Sequence, residues 1–307
     1  MMALEFLIIS LLVIFVFGWN NGSVAVGALT GPRLLPRSRA VLLVALGLVS
    51  GALAEGWKMN PTLLGATESK ATASLATLLT TLILLTASNI TLVPISLSNI
   101  TVGAYVGILT GLGDNVNLLN LILTIAAWLT GPFITFALTL LIYKIVRRYV
   151  FHLSLPSLDL FNRLAVYVIV FAITYSLAAN NIGFILGFAY QVIPAQPIFT
   201  VAAALSAVAG VFLMLGGIEA SMAEKLVVLS PQKMLTSLFS ASIVMWFFTQ
   251  FSIPGSLTQN LLGGIIGAAA STRIRIINLK AVGKITVSWI ITGFVSVAIG
   301  YLLAIVI

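Results

Sequence analysis

The hexapeptide Pro94-Ile95-Ser96-Leu97-Ser98-Asn99 returns as Pro254-Gly255-Ser256-Leu257-Thr258-Gln259, an offset of 160 positions. The same offset aligns the pair Asn20-Asn21 with the pair Asn180-Asn181. Two separate polar motifs that keep one register over so long a distance indicate an internal duplication, and a repeat of this kind decides how the whole fold is interpreted. The sequence therefore predicts two transmembrane halves, at 1–145 and 163–307, joined by a cytoplasmic linker at 146–162.

The composition places both halves in a membrane. Of the 307 residues, 60% are hydrophobic and only 7% are charged, and the mean hydropathy is +1.18. Soluble domains carry about 25% charged residues, so this chain cannot cover a water-facing surface. The net charge of +8 comes from basic residues in short loops between apolar stretches rather than on one continuous face. This pattern predicts an all-α integral membrane protein with the lipid bilayer as its surroundings and no nucleic-acid partner.

Several kinds of catalytic and metal site are excluded by the residues that are missing. The chain has no cysteine and a single histidine, His152, so thiolate metal sites, histidine metal cages and histidine-based triads are ruled out. We find no Walker motif, nucleophile elbow or H-E-x-x-H sequence. The sequence therefore predicts a protein that is not an enzyme and that uses no cofactor.

Apolar stretches divide the chain into about ten segments. A membrane crossing needs about 20 apolar residues, and eight stretches are long enough: 3–30, 38–57, 71–88, 117–143, 163–190, 199–218, 234–251 and 284–307. Two more, at 99–111 and 259–271, are short for a simple crossing. We expect about five segments in each half, some of them interrupted, as at Gly18-Trp19-Asn20-Asn21-Gly22, or re-entrant.

The distribution of basic residues predicts the orientation. With five crossings per half and the N-terminus outside, 13 of the 15 Lys and Arg fall in inside loops, and only Lys58 and Lys70 fall outside. Cytoplasmic loops carry an excess of such residues. An odd number of crossings per half inverts the second half relative to the first. The sequence thus predicts inverted-topology repeats in the cell (plasma) membrane, with both termini outside.

The repeated motifs combine the groups that bind an anion without a formal charge. Helices that begin inside a membrane protein present free N–H groups and a positive dipole end, and hydroxyl and amide side chains add donors. The predicted substrate-binding residues are Asn20, Asn21, Ser96, Ser98, Asn99, Asn180, Asn181, Ser256, Thr258 and Gln259. No Asp, Glu, Lys or Arg lies in the middle of a confident span. This absence argues against a proton relay built on a buried carboxylate and favours a neutral site.

Helix packing is the simpler explanation for part of this pattern. A lone Ser or Asn in a membrane helix most often bonds a neighbouring helix or its own carbonyl groups. The glycines Gly103, Gly107, Gly263 and Gly267 are well explained by close helix approach. Two matched copies of a hydroxyl-rich turn, together with two Asn-Asn pairs, favour a binding site over packing alone.

At these motifs the chain resembles the inorganic phosphate transporter family, also called phosphate permeases. That family carries a G-A-N-D-x-A-N-A-x-G signature and a P-[VI]-S-T-T-x signature in each of two inverted repeats. Here the first appears over residues 18–27 and, degraded, at Ala178-Ala179-Asn180-Asn181, and the second over 94–99 and 254–259. The resemblance covers both halves and implies a symporter of inorganic phosphate that works by alternating access, with a homodimer as the expected assembly.

The departures from the family pattern bear on the coupling ion and the substrate. Asn21 and Asn181 stand where the family has aspartates tied to sodium coupling, Val24 and Phe184 replace its second asparagine, and Leu97 and Leu257 replace a threonine. The chain is similar in length, and in lacking the aspartates, to a short sulfate-permease branch of the family. We therefore keep both proton and sodium as coupling ions, with proton preferred and any sodium expected near Asn21 and Asn181.

Three functions stay open from the sequence. The first is a phosphate symporter, with a proton-coupled sulfate permease of the same fold as its alternative, because sulfate has no proton and prefers a site of donors. The second is a passive anion channel with the same neutral site. The third is a membrane scaffold that transports nothing.

Overall fold

The computed structural model describes residues 2–22, 36–65, 67, 69–91, 95–150, 152–213, 230–271 and 278–306. Eleven α-helices are defined within these ranges: α1 (Met2–Phe17), α2 (Arg37–Glu55), α3 (Lys70–Thr91), α4 (Leu97–Gly111), α5 (Leu118–Val150), α6 (Leu155–Leu177), α7 (Gly183–Tyr190), α8 (Pro197–Leu213), α9 (Pro231–Gln250), α10 (Leu257–Ala270) and α11 (Leu279–Val306). Among the described residues, β pairing is confined to one isolated bridge between Gly65 and Val116. The prediction of an all-α membrane fold is confirmed.

Among the described residues, six helical stretches are long and apolar enough to cross a membrane: Leu4–Asn21, Ser38–Lys58, Lys70–Thr91, Leu118–Val150, Leu155–Tyr190 and Leu279–Val306. The two longest single helices, α5 with 33 residues and α11 with 28, are also the least covered by protein, and they expose large side chains such as Phe133 and Phe294. Many Ser, Thr and Asn side chains, by contrast, are buried in the interior. This arrangement, with apolar side chains outside and polar ones inside, is that of a multi-pass membrane protein.

The short segments predicted at 99–111 and 259–271 are the helices α4 and α10. They contain 15 and 14 residues, so each is about 22 Å long against a hydrocarbon core of about 30 Å. Neither is long enough to cross the membrane alone. Both pack against the helix that precedes them, α3 and α9 respectively.

Both Asn-Asn pairs lie in π turns, the first of them at the predicted interruption of residues 18–22. Gly18–Gly22 extends α1 as a π-helix, and Ala178–Ile182 joins α6 to α7 in the same way. The backbone stays in the right-handed helical region on both sides of the second π turn. A π turn admits one extra residue without ending the hydrogen-bonded helix. New helix N-termini therefore occur at Leu97 and Leu257, not at Asn180.

Helices of the two halves pack on one another in matched pairs. α2 packs on α6 and α8 packs on α1, while α4 packs on α11 and α10 packs on α5. A methyl group added at Gly51 of α2 would lie 2.1 Å from the carbonyl oxygen of Tyr175, and one at Gly210 of α8 would lie 2.0 Å from that of Phe15. The two contacts are counterparts, because Phe15 and Tyr175 are related by the offset of 160. Each half therefore completes its packing with the other.

The stretch predicted as a polar linker is largely helical. α5 continues to Val150 and α6 begins at Leu155, with Ser154 as its N-cap. Apolar residues continue through most of 144–162 and allow both helices to extend into this stretch, which the charge content alone does not reveal. The division into two halves around this linker stays a prediction. Val24 and Pro94 lie outside the described residues, as do four of the basic residues counted in the inside loops, Arg33, Lys225, Arg273 and Arg275.

A charged cluster joins the halves at the end of α2. Glu55 and Lys58 form an ion pair of 3.4 Å, and both side chains are largely covered. Lys58 Nζ donates to Gln250 Oε1 at 2.6 Å, and Gln250 Nε2 donates to Glu55 Oε2 at 2.9 Å. Because Gln250 ends α9, these bonds connect α2 of the first half with α9 of the second.

Candidate functional site

All ten residues predicted from the repeated motifs are buried. The most exposed is Thr258, at 8% of its surface, and Asn180 is completely covered. The remaining eight are Asn20, Asn21, Ser96, Ser98, Asn99, Asn181, Ser256 and Gln259. Buried polar groups need partners, so the hydrogen bonds of each residue separate structural roles from groups that remain available to a ligand.

The two hydroxyl-rich motifs form the same turn. Ser96 is the N-cap of α4, and its hydroxyl accepts from Asn99 N at 3.4 Å and lies 3.0 Å from Ser98 Oγ. Ser256 caps α10 in the same way, accepting from Gln259 N at 3.4 Å and lying 3.1 Å from Thr258 Oγ1. These turns arise locally, because a serine with extended backbone followed by apolar helix formers is a preferred helix start.

The capped turns leave backbone donors at each helix start. The first intrahelical bonds are Ile100 N to Ser96 O at 3.2 Å and Asn260 N to Ser256 O at 3.1 Å. The amides of the two residues after each cap precede these bonds and have no carbonyl partner one turn earlier. Each turn thus supplies N–H groups and a positive helix end within the protein, which is the arrangement that favours an anion.

Asn180, the first asparagine of the pair Asn180-Asn181, holds the turn that follows α9. Asn180 Nδ2 donates to Thr249 Oγ1 and to Ile253 O, both at 3.0 Å, and Asn180 Oδ1 accepts from Gly255 N at 2.8 Å. Gly255 immediately precedes the cap residue Ser256. The amide of Asn180 is therefore engaged by the protein itself and ties the π turn to the start of α10.

The first asparagine of the other pair is held in the equivalent way. Asn20 Nδ2 donates to Asn89 Oδ1, and Asn89 Nδ2 donates to Val16 O at 3.3 Å. Asn89 and Thr249 are related by the same offset of 160 that relates Asn20 and Asn180. Sequence reasoning missed both partners, although scanning the remaining polar residues at that offset would have paired them.

The second asparagine of the first pair keeps an unused acceptor. Asn21 is 3% exposed, and among the described residues its Oδ1 has no hydrogen-bond partner. Its counterpart Asn181 is 2% exposed and occupies the same place in the other π turn. A buried amide oxygen without a partner costs about 1–3 kcal/mol. Such a group is a candidate to accept a hydrogen bond from a substrate or to ligate a cation.

The side chains of Asn99 and Gln259 face one common cavity. Each is 6% exposed, and the oxygen of each amide has no hydrogen-bond partner in the described part of the chain. The cavity has a volume of about 810 Å³ and lies between α4, α5, α10 and α11. On one side Trp128 Nε1 donates to Pro254 O at 2.7 Å, which anchors α5 to the second motif. The structure thus brings the two turns to one cavity, although no hydrogen bond among the described residues joins them directly.

Formal charge is absent from these turns. Among the described residues that line the cavity there is no Asp, Glu, Lys or Arg. Within the described part of the chain there is also no group of three or more His, Cys, Asp or Glu residues that could hold a metal ion. The donors and acceptors of the candidate site are backbone amides, hydroxyls and side-chain amides.

Comparison with known proteins decides the family. The model of the phosphate transporter family matches residues 17–178 and 160–300, which together cover most of the sequence and both copies of the motifs. The chain belongs to this family. Family members are transporters, and this chain is accordingly a transporter and not an enzyme.

Two similar proteins extend the comparison. A Methanocaldococcus jannaschii protein that is assigned as a phosphate permease is 22% identical over 308 residues, covering 97% of this chain and 95% of its own length. A solved structure titled as the sodium-dependent phosphate transporter superposes with a TM-score of 0.84 at 14% identity, covering 99% of this chain and 98% of its own. At 14% identity, the superposition shows that this chain and the solved structure share a fold.

Proposed function

We propose that this chain is a symporter that carries inorganic phosphate across the cell membrane by alternating access. The observation that carries the proposal is the doubled turn, in which Ser96 and Ser256 cap two buried helices. A buried amide oxygen without a partner follows each cap, at Asn99 and Gln259. Membership of the phosphate transporter family and the role assigned to the archaeal relative support phosphate as the substrate.

The ten buried residues divide into two roles in this proposal. Asn20 and Asn180 position the turns, because their amides bond other residues of the protein. Asn21 and Asn181, with the residues of the two turns, contact the anion or the coupling ion. Monohydrogen phosphate carries a proton, and the unpaired Asn21 Oδ1 is a suitable acceptor for it.

The coupling ion is proposed to be a proton, with sodium as the alternative. Asn21 and Asn181 are neutral where the family has aspartates, so a sodium ion would lack a carboxylate ligand at either place. The similar solved structure is described as sodium-dependent, which makes sodium the ion to test against. An amide oxygen can ligate a cation, and sodium would bind beside Asn21 and Asn181 if it couples transport.

A sulfate permease of the same fold is the second candidate. The specific observation in its favour is the absence of carboxylates from the candidate site, since sulfate carries no proton and is satisfied by donors alone. Amide side chains serve either anion, because rotation exchanges the donor and acceptor ends.

We propose that the two halves of the chain move relative to each other during the transport cycle. The matched pairing of α2 with α6 and of α8 with α1 is the packing expected of two halves that are inverted relative to each other. In this arrangement both termini lie outside and the two capped turns meet near the middle of the bilayer. One group of helices would then move against the other around a fixed site, and the protein would assemble as a homodimer in the cell membrane.

Uptake by the purified protein in liposomes tests the proposal. Labelled phosphate and labelled sulfate are compared under imposed proton and sodium gradients, with protein-free liposomes as the control. Accumulation of phosphate against its own gradient supports the symporter, and accumulation of sulfate instead selects the second candidate. Equilibration without accumulation would identify a passive channel, and no uptake of either anion would favour a non-transporting scaffold.

A further inference from the structure

Trp289 contains a buried hydrogen-bond donor that the protein does not use. It lies on α11 and is 6% exposed, and its indole Nε1 has no hydrogen-bond partner in the described part of the chain. Trp289 also lines the cavity that the side chains of Asn99 and Gln259 face. A buried donor without a partner costs about 1–3 kcal/mol. Such a group in the wall of a cavity is a candidate to bind a ligand there.

The equivalent tryptophan of the first half is bonded within the protein. Trp128 on α5 is related to Trp289 by an offset of 161, and its Nε1 donates to Pro254 O at 2.7 Å. Pro254 lies two residues before Ser256, the cap of α10. The indole of Trp128 therefore holds the turn at the start of α10, and this role has no counterpart for Trp289 among the described residues.

α4 and α11 run in the same direction where they touch. An added Cβ at Gly103 would lie 2.9 Å from the carbonyl oxygen of Gly293, and one at Gly107 would lie 2.1 Å from that of Val297. From the first contact to the second, the pairing advances by about one turn on both helices.

The same pairing places Trp289 beside the start of α4. Asn99 and Trp289 each lie one turn before the contact of Gly103 with Gly293, so they are at the same level of the two helices. Asn99 is the third residue after the cap Ser96, to which its backbone amide donates. The unused indole and the backbone donors of this turn therefore lie at the same end of the cavity.

The indole N–H differs from the other polar groups of the cavity because it can only donate. The amides of Asn99 and Gln259 present either a donor or an acceptor after rotation. Thr286, which also lines the cavity, already donates from its Oγ1 to Val282 O at 3.1 Å. A fixed donor binds an acceptor such as an oxyanion oxygen and cannot ligate a cation. The free donor of Trp289 therefore suits the anion and not the coupling ion.

We infer that Trp289 Nε1 donates a hydrogen bond to the transported oxyanion and holds it beside the turn at the start of α4. This inference rests on the proposed function and adds to it a binding residue outside the repeated motifs. The two halves then contribute unequally, because Trp128 holds the turn at the start of α10 and Trp289 contacts the substrate.

Trp289→Phe and Trp128→Phe are matched variants for thermal unfolding in detergent, with and without inorganic phosphate. Trp289→Phe removes a donor that no described residue uses, so the midpoint without anion should stay close to that of the unmodified protein. Phosphate binding should weaken about tenfold or more, because a hydrogen bond to a charged group is lost. The rise in midpoint caused by phosphate should shrink accordingly. Trp128→Phe should lower the midpoint and keep the rise.

The indole N–H signals in a nuclear magnetic resonance spectrum report the bond directly. The protein has five tryptophans, and in a sample with isotope-labelled tryptophan the two variants identify the signals of Trp128 and Trp289. We expect phosphate to move the Trp289 signal downfield and to leave the Trp128 signal in place. Chloride at the same ionic strength should move neither signal.

The inference is overturned if phosphate raises the midpoint of the unmodified protein while the Trp289 signal stays in place, a result that leaves the proposed function intact. It is overturned also if Trp289→Phe lowers the midpoint without anion as much as Trp128→Phe does, because the indole would then hold a helix. A Trp289 signal that moves with sulfate and not with phosphate would support the binding residue and contradict phosphate as the substrate. If neither anion changes the midpoint or the signal, both the inference and the proposed function fail.

Discussion

The side-chain oxygen of Asn180 accepts a hydrogen bond from the backbone amide of Gly255 at 2.8 Å, one residue before the serine that caps α10. The asparagine of one repeated motif thus sets the position of the other motif in the same half. Asn180 also donates two bonds from its Nδ2, to Thr249 and to the carbonyl of Ile253. The amide of Asn180 therefore ties the start of α10 to the π turn in which Asn180 lies.

Replacement of Asn180 should destabilise the protein more than replacement of Asn21. Asn180→Asp retains the acceptor for Gly255 N but loses both donated bonds, and unsatisfied buried groups cost about 1–3 kcal/mol each. Asn21→Asp changes a side chain whose oxygen has no partner. We expect a clearly lower thermal unfolding midpoint in detergent for Asn180→Asp than for Asn21→Asp. Equal midpoints would show that the bonds of Asn180 are not structural.

Asn21→Asp should also increase the response of uptake to a sodium gradient. The substitution introduces the carboxylate that the family carries at this place, and a carboxylate is a stronger ligand for a cation than an amide. The measurement is labelled phosphate uptake into liposomes with and without inward sodium, for the variant and the unmodified chain. Asn162→Ala serves as the control, because its amide oxygen also lacks a partner but lies outside both motifs. An unchanged sodium response would count against an ion site at Asn21.

Removal of the N-cap hydroxyls of Ser96 and Ser256 should lower both stability and uptake, whereas removal of the N-cap hydroxyl of Ser154 should lower stability alone. Ser96→Ala and Ser256→Ala each delete an N-cap, which costs about 0.5–2 kcal/mol. Ser154 caps α6 with the same geometry, accepting from Ser157 N at 3.4 Å, but lies on the exposed surface. We expect similar losses of stability in all three variants and a loss of uptake only in the first two. Ser96→Thr, which keeps a capping hydroxyl, should retain uptake. A loss of uptake in Ser154→Ala would show that the loss of any helix cap impairs uptake, and that Ser96 and Ser256 have no special role in transport.

A methyl group should be tolerated at Gly293 and not at Gly263. An added Cβ at Gly263 would lie 2.1 Å from the carbonyl oxygen of Pro132, so α10 and α5 would have to separate, whereas none of the atoms around Gly293 lies within 4 Å. Overpacking of this kind costs about 1–3 kcal/mol, occasionally more. Thermal unfolding of Gly263→Ala and Gly293→Ala in detergent measures the difference. Equal midpoints would mean that α10 does not pack closely on α5.

A disulfide between positions 60 and 252 should stop the transport cycle. Asn60 N donates to Ser252 Oγ at 2.8 Å, next to the cluster of Glu55, Lys58 and Gln250 that joins the halves. This contact places the two Cα atoms within about 7 Å of each other, near the limit that a disulfide spans. The chain has no cysteine of its own, so Asn60→Cys with Ser252→Cys forms a single defined cross-link.

Oxidation should then block uptake by the double variant, and a reducing agent should restore it. Each single cysteine variant, treated in the same way, controls for effects of the oxidant. Full uptake by a completely cross-linked sample would show that residues 60 and 252 stay in contact throughout the cycle. The helices would then not move against each other at this contact.

The sequence by itself determined the membrane class and the two matched hydroxyl-rich motifs. These features depend on local chemistry: the length of an apolar stretch is matched to the bilayer, and a serine with extended backbone starts a helix through bonds to residues three positions away. The capping bonds of Ser96 and Ser256 form within a single turn, so they depend only on residues of the two hexapeptides.

The partners of the buried amides were decided only by the tertiary structure. Asn180 bonds residues 69 to 75 positions away, and Asn99 and Gln259 share a cavity because α4 packs on α11 and α10 packs on α5. The same holds for the cluster that joins Glu55 to Gln250. Local propensities do not specify which helix faces meet, because that choice follows from close contacts between distant surfaces, such as that of Gly263 with Pro132.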